Sequence, residues 1–280
     1  MMFAGWGSMM LAAAAVQGAA LPPAVPAAPA VSSPAPPQTD EQRIQNAITL
    51  GGVLYAFDRA AWVSTDALLE KLPKDQLTGL GGYVVETANP AFRVTYYRGS
   101  GEQALAFFVA EVREGKVVRA DLLAAPVPLT PAQAALARAR DIAARAAISA
   151  GYAPCTAAPF NTVVLPPRGD GPIGVYLLSA QTDARHWPMG GHYRLVISPD
   201  GKVLGQRAYS RACLNLDLPG ALPNGAKPVG LFVTHALDPV PTEIHVFASY
   251  NLRMPLFVST SPDKLWRVAG RSITPETIKR

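Results

Sequence analysis

The stretch from Leu21 to Gln38 constrains this chain most, because it is built almost wholly of Pro, Ala, Val and Ser. Proline lacks a backbone N–H and fixes its own φ, so such a run forms neither a regular helix nor a sheet interior. It reads as a semi-rigid linker over 21–39, and the fold is confined to the residues from Asp40 onward. The first 39 residues also carry no charged side chain. Within them, Met9–Val16 is an apolar run too short to span a bilayer, which takes about 20 residues. Gly18-Ala19-Ala20 comes next and suits cleavage by a signal peptidase. Residues 1–20 therefore read as a signal peptide, although no Lys or Arg precedes the apolar run. The expected compartment is the periplasm or the outside of the cell, with no membrane span in the mature chain.

Two cysteines fit that compartment. In an oxidising space a pair usually joins, so a Cys155–Cys213 disulfide is expected, with two free buried thiols as the alternative. Neither lies in a C-x-x-C motif, which argues against redox catalysis.

Net charge is +5, with −2 in residues 1–134 and +7 in residues 135–280. A basic half suits an anionic envelope component, or is simply scattered solubilising charge. No Lys/Arg run, zinc finger or aromatic RNA-binding signature accompanies it, so nucleic acid is not an expected partner.

Apolar residues at Ile44, Ala47, Ile48, Gly51, Leu54 and Tyr55 mark one face of a helix over 42–62. Gly51-Gly52 weakens it, or lets another element approach. Ser64–Leu72 reads as a second short helix, with Pro73 as its stop. Four β-rich runs come after it at 83–86, 92–97, 104–112 and 117–123, with breaks short enough for an antiparallel meander. Thr130, Pro131 and Gln133 form the start of a capped helix that ends at Gly151. Further strands are expected at 161–165, 174–179, 193–197, 203–209, 229–234, 256–259 and 265–268. Pro199-Asp200-Gly201 makes a hairpin turn, and a helix over 242–252 completes a βαβ unit. The fold class is α+β, a helix plus antiparallel meander followed by a mixed sheet. The parts are 40–125, a connecting helix segment at 126–154, and a sheet-containing part at 155–280.

No P-loop, dinucleotide loop or G-x-S-x-G elbow is present; the third glycine of a dinucleotide loop would fall on Val84. The chemistry-bearing residues gather late. His235 ends an apolar strand and His245 opens the next helix, with Asp238 and Glu243 near them. Two imidazoles and a carboxylate are a donor set for zinc, so His235, His245 and Asp238 are the candidate metal ligands. Imidazoles that serve only as hydrogen-bonding groups at a strand-to-helix turn are the other reading. Ser249 shares a helix with His245 but lacks an identifiable orienting group.

Val229-Gly230-Leu231-Phe232-Val233-Thr234-His235-Ala236, Pro241-Thr242-Glu243-Ile244-His245 and Met254-Pro255-Leu256-Phe257-Val258 together resemble the core of the JAB/MPN (JAMM) metalloproteases. The order and spacing agree over residues 229–260. The chemical positions depart from the family. Its first histidine falls on Val233, its second on His235, its proline on Ala236, its serine on Thr242 and its aspartate on His245. Its upstream general-base glutamate has no counterpart, since no glutamate occurs between Gly115 and Thr242. The resemblance implies that fold with an altered ligand set, and a metal-dependent hydrolase as the alternative function. The whole chain also resembles exported alphaproteobacterial proteins of uncharacterised activity, on Pro241-Thr242-Glu243-Ile244-His245-Val246-Phe247 and Phe160-Asn161-Thr162-Val163-Val164-Leu165-Pro166-Pro167. That implies a compartment and no activity. The expected function is a non-catalytic binding or structural module of the cell envelope, with no cofactor.

Overall fold

The structure, a computed structural model, describes residues 38–220, 226 and 228–277. The expected signal peptide and nearly all of the linker lie outside the described residues. The described residues from Gln38 onward pack as one compact unit. Among the described residues, no helix is long and apolar enough to cross a membrane.

The fold is α+β. Helix α1 (Asp40–Lys71) opens with a capping box in which Thr39 and Gln42 satisfy each other's backbone N–H groups. It runs unbroken for 32 residues, so the two helices expected over 42–62 and 64–72 are one. The polar Ser64-Thr65 pair does not interrupt it, because both hydroxyls turn to the Ala61 carbonyl and to the phenol of Tyr96.

Strands β1 (Leu80–Ala88), β2 (Ala91–Arg98), β3 (Leu105–Arg113) and β4 (Lys116–Pro128) form the antiparallel meander in sequence order. Helix α2 (Pro131–Ser149) carries the expected Thr130/Gln133 capping box, and its chain turns out at Gly151, whose φ is +69°. That left-handed position favours glycine at a helix C-terminus.

The second sheet is β5 (Asn161–Leu165), β6 (Ile173–Leu178), β8 (Tyr193–Ile197) and β9 (Val203–Ala208), in the order β5-β6-β8-β9. It meets the meander where Tyr83 Oη donates to the Thr162 carbonyl at 3.1 Å. Two short strands, β7 (His186–Pro188) and β10 (Asn215–Asp217), pair with each other. The third sheet holds β11 (Leu231–Thr234), β12 (Leu256–Ser261), β13 (Lys264–Ala269) and β14 (Ser272–Glu276). Helix α3 (Glu243–Leu252) connects β11 to β12, which are parallel, so the expected βαβ unit is present.

Strand alternation sets the layers. Side chains of successive strand residues point to opposite faces. Val85, Val163, Tyr176 and Leu178 therefore join a core with α1, α3 and the third sheet. Val84, Val164, Val175 and Leu177 join a second core under Ala137, Ala139, Ala143 and Ala147 of α2. The small alanines let α2 lie close to the sheet. The first two sheets are thus covered by α2 on one face and by α1 on the other.

Helix α1 also crosses α3 at close range. An added Cβ at Gly51 would lie 2.5 Å from Val246 Cβ and 2.8 Å from the Glu243 carbonyl oxygen, so no larger residue fits there. Gly52, one position on, faces open space with no atom within 4 Å of an added Cβ. The expected role of the glycine pair in close approach belongs to Gly51 alone.

Cys155 and Cys213 form the expected disulfide, with Cα atoms 5.2 Å apart.

Candidate functional site

One face of the second sheet carries charge where a core would normally be apolar. The antiparallel register places Tyr176 on β6 opposite Arg194 on β8, and Arg194 opposite Arg207 on β9. Tyr209, two residues past Arg207, continues the same face. Like charges on directly opposed strand residues repel. Two groups from the third sheet's βαβ unit offset that repulsion. Arg207 donates to Asp238 at 2.7 Å, and Arg194 lies 3.8 Å from the Glu243 carboxylate. Arg207 also stacks over the Tyr209 ring at 4.3 Å, and Arg194 over the Tyr176 ring at 5.7 Å.

Glu243 is the first residue of α3 and is buried. Tyr176 Oη donates to its Oε1 at 3.0 Å, and Tyr209 Oη donates to the same oxygen. Burial, reinforced by the Glu243 charge, pushes both phenols above their ordinary range, so both keep the protons they donate. Burial works to raise Asp238, but the hydrogen bonds from His235 and Arg207 and the charge of Arg207 outweigh it, leaving this carboxyl at about 2.

Arg194, Arg207, Asp238 and Glu243 form the floor of a cavity of about 490 Å³. Arg43 and Asn46 of α1 line one side, and Arg168, from the connection between β5 and β6, lines another. Four arginines thus meet two carboxylates there. Among the described residues, Arg43 and Arg168 make no ion pair. The Nε of Arg194 is buried with no hydrogen-bond partner among them. Arginine stays protonated at any working pH, so the cavity holds a standing surplus of positive charge.

The histidines that stand out in the sequence lie beside this floor. His235 and His245 are both buried, with ring centroids 4.6 Å apart and planes at 76°. His235 Nε2 bonds to Asp238 Oδ2 at 2.8 Å. His245 Nδ1 accepts from the Thr242 backbone N–H at 3.0 Å and lies 3.0 Å from the Thr242 hydroxyl. The imidazole therefore fills the place that Glu or Gln takes in a capping box. Burial holds His245 well below the usual imidazole range, with the nearby His235 adding to this. Both rings border a separate cavity of about 240 Å³ next to Cys213. Among the described residues, no group of three or more His, Cys, Asp or Glu side chains could hold a metal ion. Val233, where the JAB/MPN pattern has a histidine, offers only a buried aliphatic side chain. Ser249 donates to the Val246 carbonyl and accepts from Gly270 N–H at 3.0 Å, so it braces α3 against the β13–β14 turn.

Asp238 and Glu243 are thus common to the expected neighbourhood and to the arginine cavity. The arginines themselves carry little signal in the sequence. Their one local clue is the hairpin at Pro199-Asp200-Gly201, which pairs Arg194 with Arg207 once its register is worked out. Arg43 and Arg168 give no such clue, because they reach the cavity from distant parts of the chain. Comparison with protein-family models, with curated proteins and with solved structures gives no match for this chain.

Proposed function

We propose that the protein is an exported binding module of the cell envelope, and that its ligand is an anion held in the arginine cavity. The reading rests on one observation, the convergence of Arg43, Arg168, Arg194 and Arg207 on a single concave site. Guanidinium groups recognise carboxylate and phosphate oxygens by paired, charge-assisted hydrogen bonds. The cavity falls within the range of about 300–1,000 Å³ common for small-molecule sites. Binding rather than turnover is favoured by the chemistry of its walls. The arginines do not exchange protons, and Asp238 is already committed to Arg207 and His235. Export is supported by the apolar leader in the sequence and by the Cys155–Cys213 bond.

Calorimetric titration of inorganic phosphate into the protein tests the site. Binding is expected in wild type and is expected to weaken at least about tenfold in the Arg43→Ala, Arg168→Ala double variant. Equal affinity in the two proteins would overturn the reading. For export, mass spectrometry of protein from the cell envelope should find an N-terminus near residue 20, and an intact Met1 would contradict it.

A further inference from the structure

The arginine cavity does not end at Arg168 and Arg194. Both residues, with Thr49 and Leu50 of α1, also line a larger groove of about 1,040 Å³. The groove runs along α1 between the β5–β6 connection and α3. Its walls are mainly apolar, from Ile48, Val53, Phe92, Leu165, Pro166 and Tyr250. The Tyr250 ring is held flat against Tyr55 at 4.9 Å, which fixes that wall. Arg271 is a third cation lining the groove with Arg168 and Arg194, and among the described residues no Asp or Glu lines it. An apolar trough thus adjoins a set of guanidinium groups, and Arg194, which lines both cavities, has a buried Nε with no hydrogen-bond partner among the described residues.

Resting on the anion-binding reading above, the geometry points to the class of ligand: a free single-chain amphiphile with an anionic head. Its head takes the place between Arg43, Arg168 and Arg194, and its hydrocarbon chain lies in the groove along α1. A purely polar anion leaves that trough exposed, and a neutral apolar molecule leaves the arginines without a counter-charge. The two cavities share Thr49, Leu50, Arg168 and Arg194 among their lining residues, so the head and chain sites are adjacent.

Gly52 supplies the means of testing this. It lines the groove, and a Cβ built there meets nothing within 4 Å. A leucine at this position enters the groove from a Cβ that meets no protein atom, and it favours the helix over glycine. The experiment titrates dodecyl phosphate, inorganic phosphate and 1-dodecanol by calorimetry, below the concentration at which the amphiphiles self-associate. The proteins are wild type, Gly52→Leu, and the Arg43→Ala, Arg168→Ala double variant. Thr87→Trp, at an exposed β1 position that lines the groove but not the arginine cavity, serves as a second blocking variant should Gly52→Leu not fold.

Dodecyl phosphate should bind wild type at least ~100-fold more tightly than phosphate, the equivalent of about three to four buried methylenes. The blocking variant should lose that advantage and keep its phosphate affinity. Equal binding of dodecyl phosphate and phosphate by wild type would overturn the amphiphile assignment and leave the anion site standing. So would dodecyl phosphate binding that the blocking variants do not change, or dodecanol binding as tight as that of dodecyl phosphate. Undiminished binding of both phosphates by the double arginine variant would overturn the anion site itself, and this inference with it.

Discussion

Arg194 stands directly opposite Arg207 across the β8–β9 ladder, and each guanidinium is matched by a carboxylate from the βαβ unit rather than from its own sheet. The second and third sheets are therefore joined by charge as well as by packing. Removing one carboxylate leaves two opposed cations at a partly buried site.

Glu243→Gln should lower unfolding free energy by about 1–3 kcal/mol, because a charged acceptor is lost beside both arginines. Arg194→Met in the same chain should recover part of that loss. A double-mutant cycle by urea denaturation reads the coupling, expected at about 0.5–3 kcal/mol. Simple additivity would show that Glu243 does not offset Arg194.

The adjacent glycines of α1 should respond in opposite directions. Gly51→Ala places a methyl 2.5 Å from Val246 Cβ and should destabilise by about 1–3 kcal/mol. Gly52→Ala enters open space and should stabilise by up to about 1 kcal/mol through helix propensity. Thermal or urea unfolding of the two variants settles the order.

Acid should weaken the fold between pH 6.5 and pH 4. Burial lowers His192 from 6.5 to about 4, where Nδ1 accepts from Ser179 N–H at 3.2 Å and Nε2 lies 2.9 Å from the Pro188 carbonyl. Protonation would remove the acceptor for Ser179. The His192 contribution is complete above 6.5 and is lost as pH falls towards 4, and burial shifts His245 in the same direction. Asp58 opposes them. Burial raises its carboxyl from 3.8 to about 6, against a hydrogen bond from Asn161. Its contribution is therefore complete below 3.8 and is lost as pH rises through 6. Two groups against one leave a net loss of stability on acidification. Asp58→Asn should steepen that loss. Urea midpoints measured from pH 7 to pH 4 provide the check.

Local chemistry makes much of the fold legible. Thr130, Pro131 and Gln133 define the start of α2 within four residues of sequence, and Pro199-Asp200-Gly201 marks its hairpin just as locally. The continuity of α1 is less legible, since the polar Ser64 and Thr65 look like a break until Tyr96 arrives from β2 to bond them. β7 and β10 are three residues each and exist only because they pair with one another. The cavity is the least legible, because Arg43, Arg168 and Arg207 share no period or motif. Their meeting depends on how α1, the β5–β6 connection and β9 pack. Histidines stand out in a sequence as chemically distinctive residues, while the surplus of charge lies in arginines of an ordinary kind.

Reducing the Cys155–Cys213 bond, or replacing both cysteines by serine, should cost about 4 kcal/mol in the chain-entropy account of a closed loop with a sequence separation of 58. Unfolding with and without reductant measures it. A loss below about 1 kcal/mol would mean that the reduced chain keeps much of its order when unfolded.

All five strands from β5 to β9 lie between the two cysteines. In a chain that emerges from its N-terminal end, Cys155 appears before any of them and Cys213 after the last. The bond cannot close until the complete arginine-bearing sheet is present. A free thiol at Cys155 therefore identifies a molecule truncated before position 213, or one not yet oxidised. Thiol labelling counts such molecules directly, making the covalent state of two side chains a gauge of how far biogenesis has gone.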